Sequence, residues 1–189
     1  MGNLTVEKLE ADVNYLINSL DSSKRLIPSP SELLKKTSSI PLIAVVLSFF
    51  STVVFYFSSA WNEKTVAGYM HFFGTEGWVV VVPTAIIGLF FILLTYSKVT
   101  MYLTLPEDVR TESIILQHLC KVTSRTVFIF IFLMFCSVVL AAISPWFTFA
   151  IPALLLIMMF AMGIIIGSEI NRLGSGMALE KISNLIKKI

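Results

Sequence analysis

The stretch IPLIAVVLSFFSTVVFYFSSA, residues 40–60, decides the fold class of this 189-residue chain. It contains no Asp, Glu, Lys, Arg or His. A helix rises about 1.5 Å per residue, so a run of this length can cross the hydrocarbon core of a bilayer. Three further stretches have the same character: WVVVVPTAIIGLFFILLTY at 78–96, TVFIFIFLMFCSVVLAAI at 126–143 and FTFAIPALLLIMMFAMGIIIGS at 147–168. The sequence therefore predicts four membrane spans.

The composition supports the same class. Hydrophobic residues make up 56% of the chain and charged residues only 14%. In a soluble domain about 45–50% of the residues are apolar and about 25% are charged. The apolar runs do not alternate between polar and apolar residues as the strands of a membrane barrel do. A single segment in lipid can satisfy its backbone hydrogen bonds only as a helix. We expect an all-α, integral membrane four-helix bundle. Pro83 and Pro152 are expected in the first turn of their spans, where proline removes little.

The basic residues predict the orientation. All but one of the 14 lysines and arginines fall in the segments 1–39, 97–125 and 169–189; the exception is Lys64. Four crossings put those three segments on one side of the membrane. The positive-inside rule then places both termini and the middle loop in the cytoplasm, and the stretch 61–77 outside.

The three basic segments are predicted to carry amphipathic helices. Apolar residues recur at helical spacing in 6–20, in 115–122 and in 179–189. Ser29-Pro30-Ser31-Glu32 is typical of a helix start that leads into the first span, and LPEDVR predicts another that continues to about Ser124. Two interpretations stay open for these helices: they lie on the inner leaflet, or they form a cytoplasmic cap that binds a partner.

The sequence offers little for catalysis or transport. No span contains a histidine or a carboxylate, and His118 and Cys120 are two residues apart, on divergent faces of a helix. The polar groups in the spans are hydroxyls, and serine and threonine hydroxyls are expected to bond their own or a neighbouring helix. Examples are Ser48, Ser51, Thr52, Thr84 and Ser137, together with Tyr56. We expect no enzyme activity, no cofactor or metal, and no nucleic-acid partner.

Two sets of residues are candidates for contacts. Gly163 and Gly167 form a small-xxx-small pattern that allows close helix packing, within the chain or between copies in a homo-oligomer. The stretch 61–77, WNEKTVAGYMHFFGTEG, is longer than a minimal link, and its aromatic residues suit either an interfacial belt or a recognition surface. The predicted partner-contact residues are Trp61, Glu63, Lys64, Tyr69, His71, Phe72, Phe73 and Glu76.

The layout resembles that of TraS-type entry-exclusion proteins of F-like conjugative plasmids. The resemblance lies in the size, the four spans, the basic ends and the opening MGNLTVEKLEADVNYLINSLDSSKRLIPSPSELLKK. It implies a multi-pass protein of the bacterial inner membrane that blocks redundant DNA transfer by recognising the donor's TraG-type mating protein. Two alternatives remain: a phage superinfection-exclusion or bacteriocin-immunity protein, and a small transporter or accessory subunit of a larger membrane complex.

Overall fold

The computed structural model describes residues 6–21, 27–59 and 64–172, and these residues form helices with no strand among them. In chain order the helices are α1 (Val6–Asp21), α2 (Pro30–Ser58), α3 (Val66–Phe72), α4 (Trp78–Thr104), α5 (Glu107–Glu112), α6 (Ile114–Leu140) and α7 (Trp146–Arg172). A π-helical turn, Phe73–Gly77, joins α3 to α4 without a break. The all-helical prediction is confirmed.

Four of these helical stretches are long and apolar enough to cross a membrane: α2, α3–α4, α6 and α7. Around the bundle the order is α2, α4, α7, α6, and α2 and α7 also touch across the centre. The shared core is apolar and lies between these helices; its buried members are Ala44, Phe91, Met134, Val138, Ile151, Leu155 and Met158. The four predicted spans are therefore confirmed as helices, by length and composition.

The helices are longer than the apolar runs that identified them. Helix α2 begins at Pro30 with Ser29 as its cap, whose hydroxyl accepts a hydrogen bond from the Glu32 N–H at 3.3 Å. That start was predicted correctly. The predicted helix from LPEDVR to about Ser124 is wrong, because α5 ends at Glu112, Ser113 caps a new helix, and α6 continues to Leu140.

The prolines differ from the prediction. Pro83 and Pro152 lie inside helices, not in their first turns, because α4 continues from α3 and α7 begins at Trp146. Pro41 is likewise internal to α2. Each of these prolines leaves one carbonyl of the preceding turn without its usual N–H donor. Neighbouring helices make such positions tolerable inside a membrane.

The bundle has two distinct ends. At one end, here called the α1 end, α1 packs against α5 and the start of α6; Leu16, Leu105 and Val109 form a small buried cluster there. At the other, the α3 end, α3 folds against the last turns of α2. Because α1 and the α5–α6 segment touch each other, segments 6–21 and 105–116 lie at the same end of the bundle.

Candidate functional site

The α3 end is built around Tyr69, which packs against the end of α2. Tyr69 is 7% exposed, and its hydroxyl shares a hydrogen bond of 3.1 Å with Thr52 Oγ1. The rings of Tyr56 and Phe49 lie edge-on to it, at centroid distances of 5.5 and 6.2 Å. Tyr69 therefore fixes α3 to α2 and is not available as a surface anchor in this structure.

Phe72 and Phe73 continue this packing. Phe72 lies 5.3 Å from Tyr56 and Phe73 lies 5.6 Å from Phe49, measured between ring centroids, and both phenylalanines are half-buried. The Phe73 ring also covers Gly77, where an added Cβ would come within 2.8 Å of it. A larger residue at this position would therefore force the Phe73 ring to move.

Three of the predicted contact residues lie on the surface of the α3 end: Lys64, His71 and Glu76. Trp61 and Glu63 lie outside the described residues. Two residues outside the predicted set are more exposed than Tyr69, Phe72 and Phe73, the aromatic candidates that the structure describes: Val66 at 71% and Met70 at 65%. Val66 and Met70 are four residues apart, a spacing that puts both on one face of a helix, and this spacing could have identified them from the sequence.

The α1 end contains a buried carboxylate that the sequence analysis missed. Asp12 is 8% exposed and lies at the first turn of α6. It accepts hydrogen bonds from the Ser113 hydroxyl at 2.9 Å, the Ile115 N–H at 3.0 Å and the Ile114 N–H at 3.3 Å. A carboxylate suits this position because the N–H groups of a first helical turn have no partner within the helix.

Further polar contacts join elements at the same end. Tyr15 donates a hydrogen bond of 2.7 Å to Glu112. Glu169 Oε2 lies 3.2 Å from His118 Nε2 and 3.0 Å from Arg172 Nη2, so one carboxylate oxygen connects α6 with the last turn of α7. His118 thus faces a carboxylate on another helix, whereas Cys120 is an exposed free thiol.

Most of the hydroxyl groups within the spans are bonded as predicted. Thr84 Oγ1 lies 2.8 Å from the Val80 carbonyl and 3.2 Å from Ser48 Oγ on α2. Ser137 donates to the Phe147 carbonyl at 2.6 Å and so ties α6 to α7. Ser51 is the exception, because its buried hydroxyl has no hydrogen-bond partner among the described residues.

The glycine pair of α7 does not pack within the described chain. A Cβ added at Gly163 or Gly167 meets nothing within 4 Å. The close approach occurs instead at Gly88 of α4, where an added Cβ would lie 3.0 Å from Pro41 Cβ on α2. The packing of Gly163 and Gly167 against a second copy remains a hypothesis.

Comparison of the chain with family models, with curated proteins and with solved structures finds no match.

Proposed function

We propose that this protein acts in a membrane by binding another protein through the surface of its α3 end. More specifically, we propose an inner-membrane entry-exclusion protein, with its termini in the cytoplasm, that recognises a TraG-type mating protein of the donor cell. The observation that supports the binding role is the anchoring of α3: Tyr69 is buried against α2 while Val66 and Met70 point away from the bundle. A short helix held in place by its buried face presents its exposed face in a fixed position.

The character of that face also suits protein recognition. Val66 and Met70 supply apolar contact area, and Met side chains adapt to varied partners. Lys64, His71 and Glu76 lie exposed on the same segment, and Lys64 and Glu76 supply both signs of charge. Interfaces obtain affinity from a few large apolar anchors and partner choice from the surrounding charges.

A conjugation assay tests the entry-exclusion proposal. Recipient cells expressing the chain are mated with donors carrying the cognate or an unrelated plasmid, and transfer frequency is measured. The proposal requires a drop in transfer from cognate donors only. If neither donor is affected, the same cells are challenged with phage and bacteriocins, and protection there would favour the immunity alternative instead.

Met70→Asp tests the proposed surface. It places a charge among the apolar contacts without touching the α3 anchor, so we expect at least about a tenfold loss of exclusion, as for a central interface residue. Protein abundance should not change. Glu10→Ala, an exposed position on α1, is the control at the other end of the bundle. Loss of exclusion in the control alone would move the binding surface to the α1 end.

A further inference from the structure

Helix α1 is attached to the rest of the protein by few buried side chains. Among residues 7–18, whose side chains the structure describes, only Asp12 and Leu16 are buried. By contrast, α2 has eight buried residues along its length. Segments with few buried apolar contacts open at a lower free energy than the core of the same protein. Helix α1 also makes fewer contacts with the other described helices than α2, α4, α6 or α7 does.

The surface under α1 has a specific chemistry. Leu105 and Val109 are 6% and 5% exposed and pack against Leu16. Beside them, the first turn of α6 directs the N–H groups of Ile114 and Ile115 at the Asp12 carboxylate. When α1 departs, this corner would present an apolar patch next to unpaired N–H donors. That combination fits an acidic amphipathic helix, and α1 is one.

We propose that α1 is a reversible cap on the α5–α6 corner, and that the Asp12 carboxylate controls its attachment. With α1 in place, Leu105 and Val109 are covered and the start of α6 is capped. With α1 released, the corner and the apolar side of α1 both become accessible. The conformational change is the undocking of one helix from the bundle, and changes of this kind, in which one segment loses its ordered contacts, are used by regulated proteins. The proposal that α1 undocks does not depend on the proposed function.

Hydrogen exchange tests this proposal on the full chain in lipid nanodiscs. Asp12→Ala is compared with Glu10→Ala, which removes a carboxylate from an exposed position of the same helix. For Asp12→Ala we expect amides of both α1 and residues 114–116 to exchange about tenfold faster, as loss of a capping carboxylate predicts. Amides of α2, α4 and α7 should keep their wild-type rates, and Asp12→Glu should restore part of the protection.

Each other outcome contradicts the proposal. Faster exchange at residues 114–116 with unchanged α1 would mean that Asp12 is only a local cap. Equal effects of Asp12→Ala and Glu10→Ala would remove the special role of Asp12. Unprotected α1 amides in the wild type would show that α1 does not dock. Failure of the Asp12→Ala chain to accumulate would show that α1 is a fixed structural element, since a releasable cap is not needed for the spans to insert.

Discussion

Gly88 and Gly163 lie on long apolar helices, but only Gly88 faces a neighbouring helix. A Cβ at Gly88 would lie 3.0 Å from Pro41 Cβ, an atom of a rigid ring that cannot turn aside. We expect Gly88→Ala to destabilise the protein by about 1–3 kcal/mol, the usual range for overpacking. Gly163→Ala, which meets no described atom within 4 Å, is the matched control. Thermal unfolding in detergent measures both; equal effects would refute the close α2–α4 contact.

The same two glycines show what the sequence can establish at the scale of residues. Gly163 and Gly167 stand out as a motif, yet periodicity in one chain does not distinguish a lipid-facing stripe from a helix-facing one. Thr84 and Gly88 of α4 are buried, and they have the same four-residue spacing in an equally apolar run. The two pairs differ in their surroundings: Pro41 of α2 lies against Gly88, and this contact cannot be read from the sequence of either helix. Buried Tyr69 among exposed neighbours could not be foreseen for the same reason.

Helix α3 offers a test at the scale of an element. Tyr69→Phe removes one hydrogen bond and leaves Thr52 bonded to the Phe49 carbonyl at 2.7 Å, so it should reduce stability by about 1 kcal/mol. Tyr69→Ala also removes the ring that packs on α2 and should reduce it by about 3–5 kcal/mol. Met70→Ala, at an exposed neighbour, is the control and should change little. Thermal unfolding ranks the three; a Tyr69→Ala effect no larger than that of Met70→Ala would show that α3 is not anchored.

The boundaries of elements were harder to predict than their existence. The apolar runs revealed the spans because charged residues are excluded from them, but α2 and α6 extend beyond those runs into polar sequence. The start of α2 was recognisable from Ser29 and Pro30, which act locally. The start of α6 was not, because Ser113 is supported there by Asp12, 101 positions away in the sequence. A contact between residues so far apart in the sequence cannot be predicted from the local sequence around Ser113.

At the scale of the whole molecule, most of the span surface is open to the surroundings. Only 17–33% of the residues in each most apolar 18-residue window are buried inside the protein. This pattern fits a bundle whose remaining apolar surface contacts lipid. The membrane-spanning character of the four helices was predictable from the sequence, since the apolar character of a span does not depend on which residues face one another.

Leu133 provides the test of that arrangement, because it lies in the third span and is 43% exposed. Leu133→Arg would place a charge in the hydrocarbon core, which costs about 3 kcal/mol of insertion free energy at a helix centre. We expect a lower protein level in the membrane. Ser124→Arg is the control, because Ser124 is exposed and lies beside Arg125, before the apolar run begins.

Reporter fusions complete the test of the arrangement. Fusions after residue 21, within 105–116 and after residue 172 should all report the cytoplasm, whereas a fusion between residues 64 and 66 should report the opposite side. The first two must agree with each other in any case, because Asp12 contacts Ser113 directly. Their shared side is what the 13-to-1 distribution of basic residues predicts. A non-cytoplasmic signal from both would reverse the orientation, and the α3 surface would then have to find its partner inside the cell.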